Sequence, residues 1–507
     1  LPMGDISRTL AAALGMLTLS GCSAVGPDFV PPDPMLPSGS FSGKPEPAIV
    51  SPASALDDLS GGDHQWWKAF RDPILTSLAG RLAAANLDVA TATLRLAESR
   101  FQRNVTAAAQ FPSINGNASY QRELFSQNGV LSLVKPFVPP GTPFVIPPIS
   151  IWQTGLDASW ELDIWGSIRR QVEAANAQVE VAEFQRRDTL ISSLAELARD
   201  YIDLRGIQAQ IAIAKANLAS STDIMQLTKT RAEKGLTTGL DVENAAAQVA
   251  SVRSALPALE NQESADINAL SLLLDEPPGS LREELAQAKP IPPSPPRVPL
   301  GIPSELARRR PDIRQAEAQL HAATAAIGVA VADFYPSVKL SGNVEFNALD
   351  LRKLWQGTSL QYVFGPTVSL PIFQGGRLKS TLEFREAQQQ EAAITYHKTV
   401  LQAWHEVVNA LVAYRTEQER RASLREQTSH SRQALSLARA RYASGVADFI
   451  SVLDAERTEL QAELQYAQST TAVSTNLVQL YKALGGGWET AFPEESAMNA
   501  AALPPAP

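Results

Sequence analysis

Catalysis and metal binding draw on a small set of side chains, and this chain arranges few of them for either task. Its five histidines are scattered, and His397 and His405 stand eight apart on a stretch that reads as helix, so no short metal-ligand spacing occurs. No serine, histidine and acid fall into an interpretable nucleophile motif, and the acidic residues follow helix and strand periods instead. Enzyme and metal-cofactor chemistry are therefore not expected. The one placement that does point to a reaction is that of Cys22, the single cysteine of the 507 residues. It directly follows an apolar run, Leu10 to Leu19, preceded by Arg8, which has the layout of a secretory signal and is too short to span a membrane.

Leu19-Ser20-Gly21-Cys22 is a small-residue box that resembles a bacterial lipoprotein processing site. Cleavage would leave Cys22 as the first mature residue, diacylated through sulfur, and each buried methylene would add roughly 0.8 kcal/mol of anchoring. Ser23 follows, rather than the aspartate that retains lipoproteins at the inner membrane, so outer-membrane sorting is expected. This covalent lipid, of the palmitate kind, is the one attached group anticipated; no other cofactor is. With one cysteine no intrachain disulfide can form. A net charge of -9 without a basic stripe argues against a nucleic-acid partner.

The elements that must position such a chain are unusual. After the signal (1–21), residues 22–62 are rich in Pro, Ser and Gly without a sustained period and read as an extended tether. Trp66, Trp67 and Phe70 are expected to close it onto the folded body. Pro73 to Gln110 reads as helix, with leucines set among alanines. Small or apolar residues then alternate with polar ones at about 113–123, and again at about 151–164, where Trp152, Thr154, Leu156, Ala158, Trp160, Leu162 and Ile164 face away from Gln153, Asp157, Ser159, Glu161 and Asp163. Period two with one apolar face fits a transmembrane barrel strand. Two more such strands are expected at about 337–347 and 360–373, the last weakened by Pro366 and Pro371.

Each strand pair runs into a proline-free stretch of 69 residues, 166–234 and 376–444, about 100 Å if continuous at 1.5 Å per residue. Each then turns at Gly235 or Gly445 and returns as a second helix, 239–274 or 447–484. The halves are a duplication. Trp165-Gly166-Ser167-Ile168-Arg169 answers to Gly375-Gly376-Arg377-Leu378-Lys379, and Arg231-Ala232-Glu233-Lys234-Gly235 to Arg441-Tyr442-Ala443-Ser444-Gly445, both at an offset of 210. Upstream the offset is 224, so nearly all the 14-residue difference belongs in the loop between strands. The repeats are 63–276 and 304–486, joined by a Pro-rich connector, 277–303, and followed by a tail, 487–507. Arg309, Arg310 and Asp312 are read as charging and capping a helix start, as Asn86 and Asp88 do in the first repeat. Four amphipathic strands cannot close a barrel, and lipid does not tolerate open edges, so several chains must share one.

Taken in order, Leu19-Ser20-Gly21-Cys22, Val25-Gly26-Pro27-Asp28-Phe29, Trp66-Trp67, Arg309-Arg310-Pro311-Asp312-Ile313 and Leu453-Asp454-Ala455-Glu456-Arg457 make the chain similar, over essentially its whole length, to the TolC superfamily of outer-membrane factors. The specific resemblance is to the lipoprotein branch that serves tripartite efflux pumps. It implies a mixed α/β membrane protein: a homotrimer with a shared 12-stranded outer-membrane β-barrel and a 12-helix periplasmic tunnel. The implied partners are a periplasmic membrane-fusion adaptor and an inner-membrane transporter of the resistance-nodulation-division type. Small amphiphilic drugs, dyes and solvents would pass through. An outer-membrane conduit for type I protein secretion shares the fold and is the alternative.

The same resemblance implies a gate at the periplasmic tip, with Ile450 as an apolar constriction and Asp454 as a carboxylate ring. Their i,i+4 spacing puts both on one helix face. From spacing alone, Ile450 also reads as a coiled-coil core residue and Asp454 as a solvated face. Tyr442, Asp241 and Arg441 are the candidates for a tip latch. Members with a basic residue after the tyrosine differ here, since position 443 is alanine, so one closing bond is expected to be missing or supplied by Arg439 or Arg441.

Overall fold

The computed structural model describes residues 24–34, 36, 55–57, 65–126, 129, 147–295, 297–299 and 309–488. The signal, Cys22, most of the tether, part of the connector and the tail beyond 488 lie outside the described residues. Two compact units are present, one of residues 1–31, 98–179 and 318–393, the other of 32–97, 180–317 and 394–507.

The first unit is built on a four-stranded antiparallel sheet, order β2-β3-β5-β6, from β2 (Ser113–Glu123), β3 (Ile149–Leu162), β5 (Ser337–Ala348) and β6 (Leu360–Ser369). The register keeps like residues together: Ile114, Ala158, Gly342 and Phe364 form one row across the sheet, and Gly116, Leu156, Val344 and Tyr362 the next but one. Between them lie Asn115, Asp157 and Asn343 on the other face. There Asn115 and Asn117 both donate to Asp157, and Gln153 and Gln361 both donate to Glu345. One face is thus apolar and the other a hydrogen-bonded polar surface, as the period of two predicts. In the single chain the apolar face is open, with Leu156, Val344 and Phe364 all exposed.

Two strand ends differ from expectation. β3 stops at Leu162 rather than 164, because Asp163 turns to accept from the backbone N–H groups of Ile168 and Arg169 at 3.0 and 2.9 Å and so caps the following helix. β6 stops at Ser369 rather than 373, before Pro371, which has no N–H to give a ladder. Pro366 is accommodated because β6 is an edge strand of this sheet.

The second unit is helical around one large core. α1 (Pro73–Ala85) and α2 (Leu87–Ala108) are two helices where the sequence suggested one. Asn86 breaks them: its Oδ1 accepts from the N–H groups of Asp88 and Val89, and its Nδ2 donates to the Leu273 carbonyl at 2.9 Å. The core gathers Leu75, Leu78 and Leu82 of α1 with Leu190 and Leu194 of α3 (Ser167–Glu233) and Ile267 of α4 (Gly239–Leu273). Trp66, Trp67 and Phe70 pack there as expected, Trp66 stacking on Tyr481 with ring centroids 5.5 Å apart.

The connector is not wholly extended. It contains a single helical turn, α5 (Arg282–Leu285), whose Leu285 carbonyl receives the buried Arg205 and Gln208 side chains. Its β4 (Arg297–Pro299) pairs in parallel with β1 (Ala55–Asp57) from the tether. The second repeat supplies α6 (Pro311–Ala332), α7 (Arg377–Ala443) and α8 (Phe449–Leu484). α3 and α7 are both 67 residues long, so the duplication is metrically equal along these helices. At the start of α6, Arg310 bridges Asp312 and Glu406, each at 2.7 Å, and reaches the Ala483 carbonyl. Asp312 also accepts from the Ile313 N–H at 2.9 Å and places its charge in the first turn of α6.

Candidate functional site

The two hairpin turns use one solution twice. After α3 the chain turns at Gly235, with φ of 69°, and Leu236 N–H returns to the Arg231 carbonyl at 2.9 Å; after α7 it turns at Gly445, with φ of 76°, and Val446 N–H returns to the Arg441 carbonyl at 2.9 Å. Left-handed backbone there favours glycine. The returning helices are capped by side chains. Thr238 and Asp241 form a reciprocal capping box on α4, and Asp448 accepts from Ser451 N–H at 3.0 Å on α8. Hydrogen bonds from Thr237 and then Thr238 hold the Asp241 carboxyl below the usual carboxylate range, and those from Ser451 do the same for Asp448.

Past the cap, α8 divides into faces. Phe449, Val452 and Leu453 point inward, into a cluster with Ile224, Ala245, Leu435 and Tyr442 that joins the two hairpins within one chain, and Glu456 on the same face is buried too. Ile450 is 47% exposed and Asp454 is exposed too, one turn further on. Ile450 is therefore not a core residue of its own chain. The pair forms an outward stripe of one apolar and one anionic group.

Tyr442 is 3% exposed and donates from its hydroxyl to Thr228 Oγ1 at 3.2 Å. Its ring lies under the Arg231 guanidinium, whose Nη1 donates to the Tyr442 carbonyl at 2.8 Å and the Ala443 carbonyl at 3.3 Å. So the structure brings Tyr442 together with Arg231 and Thr228. Asp241 is engaged with Thr237 and Thr238 at its own helix start, and Arg441 is exposed, contributing its backbone carbonyl to the turn. Arg439 bonds Ser220 and lies 3.7 Å from Glu456. The cation that sequence reasoning sought beside Tyr442 is Arg231, from the other repeat. Its signal was present in the duplication, since Arg231 is the counterpart of Arg441.

Glu456 is the second residue not anticipated as part of the site. It is 2% exposed, and accepts from Ser221 Oγ of α3 at 2.8 Å. Burial pushes its carboxyl up, against the pull of Ser221 and Arg439. One turn on, burial and the neighbouring Glu463 carboxylate push Glu459 up to about 7, with Arg432 opposing. Arg432 itself sits 2.6 Å from Glu463 and 3.9 Å from Glu459. Among the described residues, no group of three or more His, Cys, Asp and Glu side chains could hold a metal ion. The arrangement is a packed cluster between the two hairpins, with Ile450 and Asp454 exposed beside it.

Comparison with known proteins follows the same outline. The family model for outer membrane efflux proteins matches residues 78–276 and 302–486, once for each repeat. The chain is 32% identical to the outer membrane protein OprJ of Pseudomonas aeruginosa, over 95% of this chain and 96% of that protein. It is 31% identical to the toluene efflux pump outer membrane protein TtgF of Pseudomonas putida, over 95% of this chain and 97% of that one. Among solved structures, the outer-membrane channel OprN superposes with a TM-score of 0.82 at 35% identity, covering 92% of this chain and 99% of that one. This chain therefore belongs to the outer membrane efflux protein family, with a TolC-like fold, and is an outer-membrane exit channel of an efflux pump and not an enzyme.

Proposed function

We propose that three copies of this chain share one 12-stranded barrel and conduct small amphiphilic drugs, dyes and solvents passively outward. They do so for a tripartite pump with a periplasmic membrane-fusion adaptor and an inner-membrane transporter of the resistance-nodulation-division type. The observation that carries this reading is the sheet: one apolar face, one polar face, and two edges, β2 and β6, left open. Lipid allows no open edge, and four strands are too few to close on themselves, so the edges must be joined by further copies. The polar face that carries Asn117, Asp157 and Glu345 then lines water. At the α7–α8 turn, three Ile450 side chains form a dewetting constriction, and three Asp454 carboxylates one helical turn on attract cations. Tyr442, held by Arg231, keeps the α7–α8 hairpin on its neighbour, while the exposed Arg441, and Asp241 from its place in the α4 cap, meet another copy. Acylation of Cys22 anchors the chain to the outer membrane.

Deletion of the gene followed by a susceptibility panel of antibiotics, dyes, detergents and solvents tests the proposal. Hypersensitivity to several unrelated amphiphiles, restored by the intact chain, is expected. An unchanged panel, together with loss of a secreted protein from the medium, would carry type I secretion instead.

A further inference from the structure

The segment after Cys22 was expected to be part of a loose tether, yet from Ala24 to Phe29 it is bonded in place. Arg170, near the start of α3, is 4% exposed. Its Nε donates to the Val25 carbonyl at 3.2 Å, and its Nη2 to the Gly26 carbonyl at 3.4 Å and to Asp28 Oδ1 at 2.7 Å. Its Nη1 donates to Glu173 at 2.8 Å. Three of these four acceptors belong to the segment, so without it the buried guanidinium would keep Glu173 alone. The other Glu173 oxygen lies 3.0 Å from His321 Nε2, and the His321 ring stacks on Phe29 at a centroid distance of 4.4 Å.

The backbone fit is equally close. Val25 N–H donates to the Trp165 carbonyl at 3.0 Å. Gly26, with φ of 91°, lies so near α6 that a Cβ there would come within 2.5 Å of Gly328 Cα; a Cβ on Gly166 would come within 2.5 Å of Ala24 Cβ. Trp165-Gly166 joins β3 to α3. Trp165 also stacks on Tyr335 and donates from Nε1 to the Pro336 carbonyl at 2.9 Å, where α6 passes into β5. The segment is therefore wedged at the foot of the sheet, where the β3-to-α3 joint of the first repeat meets the α6-to-β5 joint of the second.

We propose that residues 24–29 are a strap clasped by Arg170, and that the strap fixes where the chain's N-terminal end meets the membrane. Cys22 precedes Ala24 by two residues, about 7 Å of extended chain. A lipid on Cys22 is thereby delivered to the bilayer beside Trp165 and not at random within the reach of a tether. This rests on the acylation of Cys22 proposed above. Arg170 is a positioning residue: it sets the place of the anchor and takes no part in conduction.

The test uses the full acylated protein in lipid nanodiscs, with the exposed Pro27→Cys as the free thiol for a nitroxide label. A slow-motion spectrum is expected, shifting to fast motion in Asp28→Ala, Gly26→Ala and Arg170→Gln. The first two touch the strap alone and keep the test decisive if Arg170→Gln fails to assemble. A fast-motion spectrum before any of these changes, or a slow one unaltered by all three, overturns the strap. The mass of the N-terminal peptide reads acylation separately. A slow spectrum on a chain without acyl mass contradicts the acylation reading, whereas a fast spectrum on an acylated chain contradicts the strap.

Discussion

The guanidinium carbon of Arg231 lies 4.8 Å from the centre of the Tyr442 ring, and Nη1 of the same side chain donates to the Tyr442 carbonyl at 2.8 Å. The two residues sit at the ends of α3 and α7, so Arg231 is one of the side chains by which one repeat's hairpin grips the other's. Arg231→Ala removes the ring contact and the side-chain donor of two helix-terminal carbonyls, of which that of Tyr442 keeps the Gly445 N–H. The expected cost is about 1–3 kcal/mol, read as faster amide hydrogen exchange through residues 440–448. Tyr442→Phe, which loses the bond to Thr228, is expected to cost about 1 kcal/mol in the same segment. Equal exchange in all three proteins would show that the contact does not hold the tip.

The α7–α8 hairpin is expected to tighten as pH falls. Glu459 is pushed up to about 7 by burial and by Glu463, above its unfolded value, so the protonated form favours the folded state. Its contribution is fully present below the unfolded carboxyl pKa of about 4.3 and is lost as pH rises through about 7. Once exchange is corrected for its intrinsic base catalysis, protection in α8 near Glu459 should be higher at about pH 5 than at about pH 8, and Glu459→Gln should flatten that difference. A wild-type profile without slope across that window would contradict the assignment.

Gly206 is the single glycine inside the long first helix, and a Cβ there would run into the Thr471 hydroxyl and methyl groups. Gly206→Ala is expected to lose roughly 1–3 kcal/mol by overpacking. The fall in the thermal midpoint should be recovered by adding Thr471→Ala. Failure of that second change to recover stability would place the strain elsewhere.

Much of the architecture was legible because it rests on periodicity. Proline-free runs bounded by glycine located α3 and α7 to within a residue at each end, and alternation located four strands whose register then aligned Ile114, Ala158 and Phe364. Ends set by a single side chain were less legible, as at Asn86 and Asp163, where a local hydrogen bond outweighs the pattern on either side. At the tip, Arg231 and Arg441 are the same residue at the same position of a duplication. Packing alone decides that Arg231 covers a ring while Arg441 is exposed. Glu456 occupies the i+7 position of the stripe begun by Phe449, Val452 and Leu453, a spacing that marks it for burial despite its charge. The strap escaped notice for a different reason. Its bonds run largely through backbone carbonyls, which carry no sequence signature.

The claim that this chain forms a conduit gated at Ile450 and Asp454 is tested most directly by single-channel recording of the purified protein in planar bilayers. Discrete conductance steps are expected, small in the wild type and larger in Ile450→Ala, because a smaller side chain lets water into the constriction. Asp454→Asn should weaken the preference for cations over anions. Absence of steps, or steps of the same size and selectivity in all three proteins, would contradict the account.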